Sequence, residues 1–567
     1  MTNENIHNNN FKPFENIGLC FSGGGYRATF FALGVLSYLD QIRYKDTSLL
    51  QSVKALSTVS GGTLAGVGFA KAVQSKDYNF KDFFKNFYTT FTPKNDKLLK
   101  TAISKLEDDS VWKTNEYKNR SLINAFALTY AEMPLFEGAF EQFKGNKIKQ
   151  LEQVCFNATD FSFGLTYRFQ NKGYFGNNPL YKNNQKEMNA LRDEIILGDV
   201  IASSSCFPVG FEPLIFPDDY FDNHKSPAYK NLKELDDFIN GVGIMDGGIA
   251  DNQGIGSMML INERMERAKK GLDLIIVNDV GSYKMKPWQQ DTTKIEKSST
   301  LKRAINKILQ YFTIKPLYWI IFIIGSLILL LNNMQVFGKQ AYTGLYILGG
   351  VLFGIGLLLT IFGLVASILK ASVLSKLKGM FKKNVPAPLI DDILSFKKLE
   401  ISLIQVMLTN RLSSALTMIN DVFLKQMRRI NYDLFYSKSE LKNKRITATV
   451  YKLNGKKSTY NNGTGYNKDI KPAPSKNLEN VCLTASETPT TLWWDKKDIA
   501  KNRMEILIAC GQFTVCYELM DYILKLKADP DNKIADFTEI DALYQALEND
   551  WNTFNKQPLW LVDDLKS

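Results

Sequence analysis

Two short glycine-rich segments near the N-terminus carry the residue types that acyl transfer needs. Ser22–Arg27 and Thr58–Gly62 each follow a short apolar run and precede a helical pattern. Ser60 is predicted to stand on a sharp strand-to-helix turn, where a serine hydroxyl is exposed at the positive end of a helix. In the other turn, the bare backbone N–H groups of Gly23–Gly25 can face a ligand. The two turns therefore predict a nucleophile and an oxyanion site.

A candidate general base lies far downstream. Asp246 ends an apolar stretch and is followed by Gly247 and Gly248. A carboxylate there can accept the proton of the serine hydroxyl if the two side chains come within hydrogen-bond reach. The chain has only two histidines, His7 in a polar stretch rich in Asn and His224 in a loop-like segment. A Ser-Asp pair is therefore the preferred prediction over a Ser-His-Asp triad.

These motifs, in this order, resemble those of the patatin-like phospholipases. In that family a glycine run with its following basic residue forms the oxyanion hole, and the serine of G-x-S-x-G is the nucleophile. The aspartate of an Asp-Gly-Gly segment completes a dyad without histidine. The resemblance implies an oxyanion hole of Gly23, Gly24, Gly25 and Arg27, a nucleophile Ser60 with the elbow glycines Gly61 and Gly62, and a base Asp246 beside Gly247 and Gly248. Asn157–Asp160 and Ala202–Pro208 resemble two weaker blocks of the family.

One position departs from the family pattern. Thr58 stands where the first glycine of G-x-S-x-G is usual, and that glycine normally gives room for a tight crossing of strand and helix. A β-branched residue there tightens the packing. We expect a modified elbow that keeps its function, and the alternative is a catalytically silent protein that only retains the fold.

Length and composition predict a large enzyme with a substantial core. The chain has 567 residues, 45% of them hydrophobic, which allows roughly two to four domains. Its six cysteines lack a C-x-x-C pair and no acidic loop has calcium-ligand spacing, so we expect neither a metal nor a cofactor. The glycine run lacks the spacing of a nucleotide-binding loop. The net charge of +12 would suit nucleic acid, but many cations flank the apolar segment described next, so no nucleic-acid partner is expected.

Two uncharged apolar stretches predict a membrane hairpin. Residues 316–338 and 340–369 contain no charged side chain, and each exceeds the roughly 18–20 positions that cross a bilayer. Lysines and arginines on both flanks place both ends on the cytoplasmic side and suit anionic lipid headgroups. We therefore expect an integral two-helix hairpin in the inner membrane or another cytoplasm-facing membrane, with the catalytic part in the cytoplasm. A pair of buried core helices is the alternative.

The expected fold is α/β, a three-layer α/β/α arrangement with a central sheet, as the resemblance implies. The hairpin interrupts it and a helical cap follows it. The predicted divisions are a disordered N-terminus at 1–14, the first part of the catalytic domain at 15–285, the basic-flanked hairpin at 286–387, the second part of the catalytic domain at 388–526 and the cap at 527–567. Within the first part, residues 79–150 are predicted to form a lid and acyl pocket, with ordinary helical packing as an equal alternative.

These features together predict a membrane-anchored serine acyl hydrolase of phospholipase A or lysophospholipase type. Its substrates would be phospholipids or lysophospholipids, cleaved through an acyl-serine intermediate. Three alternatives stay open: a transacylase or neutral-lipid esterase with the same dyad, a ligand-regulated membrane-damaging effector, and an inactive scaffold. A homo-oligomer is also an open alternative.

Overall fold

The chain divides into two compact units, one of residues 1–286 and 419–567 and the other of residues 287–418. The computed structural model describes residues 11–144, 150–177, 185–208, 210–281, 288–289, 316–338, 340–384, 400–456, 466–530, 532, 534 and 536–567. Residues 1–10 of the predicted disordered N-terminus and the cationic run at 294–315 lie outside these residues. Phe14, at the end of that N-terminal stretch, is fully buried and packs on Tyr44 and Tyr522.

Short apolar runs form a mixed central sheet in the first unit. Its strands, with a separate small hairpin of β2 and β3, are β1 (Ile17–Phe21), β2 (Arg43–Tyr44), β3 (Thr47–Ser48), β4 (Val53–Val59), β5 (Gln153–Asp160), β6 (Leu165–Gln170), β7 (Leu214–Phe216), β8 (Val242–Asp246), β9 (Leu274–Asp279) and β10 (Arg445–Thr449). The order is β10-β9-β1-β4-β5-β8-β7, and β6 also pairs with β5. The five strands from β10 to β5 run parallel, and β6, β7 and β8 pair antiparallel. The sheet is thus completed by a strand that follows the second unit in sequence.

Helices surround this sheet and continue to the end of the chain. In the described residues they are α1 (Gly25–Gln41), α2 (Gly61–Ala72), α3 (Phe80–Phe91), α4 (Leu98–Glu107), α5 (Asp109–Thr114), α6 (Leu122–Ala131), α7 (Gln185–Arg192), α8 (Leu197–Ser205), α9 (Pro227–Lys233), α10 (Gly248–Asp251), α11 (Ile255–Arg267), α12 (Pro316–Asn333), α13 (Thr343–Asn384), α14 (Ile401–Thr417), α15 (Leu424–Ser437), α16 (Lys476–Ser486), α17 (Lys496–Ala500), α18 (Arg503–Ala528), α19 (Thr538–Lys556) and α20 (Trp560–Lys566). A π-helical turn, Met418–Phe423, joins α14 to α15.

In β1 and β9, alternate side chains fill two cores on opposite faces of the sheet. In β1, Leu19 and Phe21 belong to the core that includes α1, α2 and α18, whereas Cys20 belongs to the core that includes α11 and α15. In β9, Ile276 and Ile275 divide in the same way. The predicted α/β class, with a central sheet between helical layers, is therefore confirmed.

A long C-terminal helix belongs to the core of this unit. α18 packs along α1 so closely that Gly34 lies against the carbonyl of Ile508, and Gly511 lies against the carbonyl of Phe31. α18 is long and apolar enough to cross a membrane, but 94% of its most apolar stretch is buried inside the structure. Core packing therefore accounts for its composition. α19 packs on α18 through Trp551, whose ring lies 5.3 Å from that of Tyr517.

The second unit contains the predicted apolar hairpin. α12 and the first 20 residues of α13, Thr343–Phe362, are each long and apolar enough to cross a membrane. Only 11% of the first stretch and 17% of the second are buried, so their apolar side chains are largely exposed. Between the helices, the side chain of Asn332 accepts the N–H of Tyr342 at 3.0 Å and donates to its carbonyl at 2.9 Å. This amide closes the turn between the two helices.

Candidate active site

The pairing of neighbouring strands places Ser60 and Asp246, which are distant in sequence, at the same position along the sheet. Val59, the last residue of β4, pairs with Asn157 of β5, so Ser60 follows at the level of Ala158. β8 runs in the opposite direction, and its last residue, Asp246, pairs with Ala158. Ser60 and Asp246 therefore lie on either side of one residue of β5.

Ser60 and Asp246 are joined by a direct hydrogen bond. The Oγ of Ser60 donates to Oδ2 of Asp246 at 2.7 Å, and the backbone N–H of Gly248 donates to Oδ1 at 2.7 Å. Each carboxylate oxygen therefore accepts one hydrogen bond, and the carboxylate is held with Oδ2 facing the Ser60 hydroxyl. Both side chains are buried.

Burial raises the pKa of Asp246 to about 6, and the hydrogen bonds from Ser60 and Gly248 act against that rise. A carboxyl group with such a pKa is ionised at neutral pH, yet it is a stronger base than an ordinary aspartate. Burial, followed by the nearby charge of Asp246, also raises the pKa of the Cys206 thiol well above its usual range. Cys206 is therefore a neutral neighbour of the carboxylate.

Ser60 lies between β4 and α2, and its backbone adopts a strained conformation. Its φ of 51° and ψ of −126° are unusual for a residue with a side chain and cost of order 1–3 kcal/mol. Two hydrogen bonds hold this conformation. The N–H of Ser60 donates to Oγ of Ser204 at 2.8 Å, and the carbonyl of Ser60 accepts the N–H of Thr63 at 2.8 Å.

The predicted oxyanion glycines lead from β1 into α1. Gly24 and Gly25 have φ values of 144° and 54°, which favour glycine. The N–H of Gly23 donates to the carbonyl of Asn252 at 2.8 Å. Within the described ranges, no hydrogen bond to the N–H of Gly24 or Gly25 is found. These two groups, at the N-terminus of α1, are the donors suited to an oxyanion, while Gly23 has a supporting role.

Asn252 belongs to this site, although the sequence motifs did not assign it. Its carbonyl holds the N–H of Gly23, and its side-chain oxygen lies beside both Gly23 and Gly248. A Cβ at Gly248 would lie 2.7 Å from that oxygen. Asn252 therefore connects the glycine loop with the loop that carries Asp246. The only sequence signal was its position shortly after the Asp-Gly-Gly segment.

Arg27 connects the glycine loop to the C-terminal part of the chain. Its Nη1 donates to the carbonyls of Ser486 and Thr488, at 3.2 and 3.1 Å, where α16 ends and backbone carbonyls lack helical donors. Burial lowers the pKa of Arg27 to about 10, while the charge of Asp279 acts to raise it. The guanidinium is therefore charged at neutral pH. Its hydrogen bonds hold the loop after α16 against the start of α1.

Ser60 and Asp246 open onto a cavity of about 660 Å³, a size that suits a small-molecule or lipid site. Besides the glycine loops, its apolar lining comprises Phe207, Pro208, Ile249, Leu424 and Leu492, and its cationic lining comprises Arg27, Lys425 and Arg428. Asp421 also lines the cavity and pairs with Lys425 at 2.8 Å, so the cavity offers apolar and charged side chains to a ligand.

A buried ion pair fixes the part of this wall that α15 forms. Arg428 donates through Nε to Oδ2 of Asp279 at 2.8 Å, and the hydroxyl of Tyr432 donates to the same oxygen at 2.7 Å. Asp279 is the last residue of β9, which pairs with β1. Since an unpaired buried charge is strongly destabilising, this cluster holds α15 at the carboxyl end of the sheet.

Within residues 79–144, several helices form, and the aromatic side chains of α3 point into the core. Phe84, Phe87 and Phe91 of α3 are fully buried, and Phe91 packs on Tyr26 and Phe136. The described residues that line the cavity come from other segments. These contacts favour ordinary helical packing over the predicted lid, which stays a prediction.

In the part of the chain that the structure describes, neither a histidine nor a metal-ligand cluster is found at this site. His224 is exposed and stacks on Tyr229 with ring centroids 4.4 Å apart, and it is not among the cavity-lining residues. His7 lies outside the described residues. In the described ranges, no cluster of three or more His, Cys, Asp or Glu side chains could hold a metal ion, and all six cysteines are buried free thiols.

Comparison with known families identifies the domain that carries these residues. A family model described as Patatin-like phospholipase matches residues 19–259, which run from β1 into α11 and include the glycine loop, Ser60 and Asp246. No curated protein gives a significant match to the chain. The loop after α16 and the wall formed by α15 lie beyond the matched residues. Residues 19–259 are therefore a domain of the patatin-like phospholipase family, a family of lipid acyl hydrolases.

Proposed function

We propose that the protein is a membrane-anchored serine acyl hydrolase of phospholipase A or lysophospholipase type. The observation that carries this proposal is the 2.7 Å hydrogen bond from Ser60 to Asp246 at the wall of a large cavity. An inactive scaffold would not need a buried carboxylate aimed at a serine in a strained turn, because both features lower the stability of the fold.

In this mechanism Asp246 accepts the proton of Ser60 while the serine oxygen attacks the carbonyl carbon of a lipid acyl ester. The carbonyl oxygen becomes an oxyanion that accepts hydrogen bonds from the N–H groups of Gly24 and Gly25. When the ester C–O bond breaks, the leaving alcohol takes the proton from Asp246. Water, deprotonated by Asp246, then attacks the acyl-serine, and the fatty acid leaves as the proton returns to Ser60.

In this mechanism Gly23 and Arg27 support the glycine loop and do not contact the reacting atoms. Gly23 is fixed by Asn252, and Arg27 holds the C-terminal loop behind the glycines. The apolar lining of the cavity suits an acyl chain, and Arg27 supplies positive charge for a lipid phosphate.

The apolar hairpin of α12 and α13 is the membrane anchor in this proposal. Its exposed apolar surface would be unfavourable in water and favourable in a bilayer. Basic flanks on both sides support a cytoplasmic location for its two ends and for the catalytic unit. Anchoring raises the local concentration of lipid substrate without any new contact in the site.

A fluorophosphonate probe tests whether Ser60 is an active nucleophile. The full-length protein in mixed phospholipid vesicles should be labelled, and Ser60→Ala should not be. Absence of labelling in folded, membrane-inserted protein would support the inactive scaffold instead.

Lipid product analysis tests the reaction class. The same vesicles should release free fatty acid and a lysolipid, and Asp246→Asn should reduce the rate by about 10²–10⁴-fold. His224→Ala should retain the rate, since His224 stacks on Tyr229 and does not line the cavity. Acyl transfer to an added alcohol with little free fatty acid would identify the transacylase instead.

A further inference from the structure

A chain of buried hydroxyl groups lies behind the nucleophile. The Oγ1 atoms of Thr58 and Thr63 are 2.9 Å apart, and Oγ1 of Thr63 is 2.8 Å from Oγ of Ser204. Ser204 in turn contacts the carbonyl of Asn157 at 2.6 Å and the N–H of Ser60 at 2.8 Å. All these side chains except that of Ser60 are fully buried.

Only one arrangement of protons satisfies these contacts. The carbonyl of Asn157 can only accept, so the single hydroxyl proton of Ser204 must go to it. Ser204 then accepts from both the N–H of Ser60 and the hydroxyl of Thr63. Because the proton of Thr63 is thereby used, Thr58 must donate to Thr63. The chain therefore runs in one direction, from Thr58 through Thr63 and Ser204 to Asn157.

This arrangement has two consequences for the nucleophile. It fixes the amide of Ser60 in the strained turn that presents the hydroxyl to Asp246. It also directs the N–H of Ser60 to Ser204, so this N–H is not available to an oxyanion. Thr58, the departure from the family motif, is the first donor of the chain.

We propose that Ser204 and the Thr58–Thr63 pair are positioning residues that hold the Ser60 amide and so set the geometry of attack. This inference rests on the proposed hydrolase function. It assigns a role to Thr58 and to the serine run at Ala202–Pro208. The glycine, serine and aspartate motifs give these residues no role.

The decisive comparison is between Ser204→Ala and Ser205→Ala. Both serines are buried in α8, but the hydroxyl of Ser205 donates to the carbonyl of Ile201 in its own helix and interacts with Tyr130, not with the Ser60 turn. Ser204→Ala should lower kcat by about tenfold or more with little change in KM, because substrate binding surfaces are untouched. Ser205→Ala should change neither constant by more than about twofold.

A pH profile separates positioning from loss of folded protein. When Ser60 is misplaced, its hydrogen bond no longer lowers the pKa of Asp246, so the acid limb of the kcat profile should move to higher pH in Ser204→Ala. Thr63→Val should shift kcat in the same direction, and Thr63→Ser, which keeps the hydroxyl, should restore it. An unchanged kcat and acid limb in folded Ser204→Ala would overturn the proposal.

Amide hydrogen exchange at Ser60, measured on the same samples, does not depend on turnover. Ser204→Ala should increase the exchange rate of the Ser60 amide, and Ser205→Ala should not. If the wild-type protein exchanged as expected but showed no Ser60-dependent hydrolysis, the proposed function would fail while the positioning of the Ser60 amide stood. Unchanged exchange in Ser204→Ala would reject the positioning role by itself.

Discussion

Burial of the carboxyl group of Asp246 affects both its strength as a base and the free energy of folding. Asp246 receives hydrogen bonds from Ser60 and Gly248, but burial is the largest influence on its pKa. The folded protein therefore holds a base that is stronger than an exposed aspartate. The same burial disfavours the charged form, so the site opposes folding whenever Asp246 is ionised.

The first prediction concerns the pH dependence of activity. Asp246 must be ionised to accept the proton of Ser60, so kcat/KM should rise with pH through about 6 and level off above it. The measurement is hydrolysis of a water-soluble ester by detergent-solubilised protein between about pH 4.5 and 8. A rate that stays constant through this range would contradict the assignment of Asp246 as the base.

The second prediction concerns stability. The pKa of Asp246 is raised in the fold from 3.8 to about 6, so its favourable contribution is present at low pH and is lost as pH rises through 6. Asp246→Asn, which resembles the protonated form, should raise the free energy of unfolding at pH 8 by on the order of 2–3 kcal/mol. Below about pH 4 the variant and the wild type should unfold alike. Chemical denaturation at the two pH values checks this, and equal effects at both would contradict it.

At the scale of elements, the crossing of β4 and α2 shows how the modified elbow is accommodated. The methyl group of Thr58 occupies the space beside Gly66, where a Cβ would lie 2.5 Å from Cγ2 of Thr58. Gly66 of α2 therefore provides the space that a glycine at position 58 would otherwise provide. Thr58 therefore fits the elbow without displacing Ser60.

The third prediction tests this exchange of space. Gly66→Ala should lower the free energy of unfolding by about 1–3 kcal/mol because its methyl group collides with Thr58. In a Thr58→Gly background the same substitution should have a much smaller effect. A double-mutant cycle by thermal or chemical unfolding measures the coupling, and additive effects would show that the two residues do not share this space.

Local sequence patterns were sufficient to predict the elements that carry the site. The turns at Gly23–Gly25 and Ser60 were predicted because apolar runs and glycines mark strands and turns directly. The hydrogen-bond partners of Arg27 could not be predicted in this way. They lie 459 and 461 residues away in sequence, and no local pattern connects positions at that separation.

At the scale of the whole molecule, apolar helices of similar length have different environments. α12, the start of α13 and α18 all satisfy the composition of a membrane span, but only α18 is buried in the structure. Sequence predicted the first two as a hairpin because they are adjacent and uncharged. It could not assign α18 to the core, because that assignment depends on its distant partner α1.

The fourth prediction tests whether the hairpin anchors the protein. Ile323, near the middle of α12, is 56% exposed, and Ile499 of α17 is 47% exposed. Ile323→Lys places a charge at the centre of a proposed span, which costs roughly 2.5–3.5 kcal/mol for insertion. It should therefore reduce the carbonate-resistant membrane fraction, whereas Ile499→Lys should not. Equal extraction of both variants and the wild type would argue against an integral hairpin.

The attachment of Arg27 to the loop after α16 has a consequence for synthesis. Ribosomes make the nucleophile and its base within the first half of the chain, yet the carbonyls that Arg27 binds emerge only near residue 488. A nascent polypeptide that has not yet reached these residues lacks that support for its glycine loop. For the proposed hydrolase, we therefore expect lipolytic competence to arise only after these carbonyls have been made, and thus after the apolar hairpin has been synthesised.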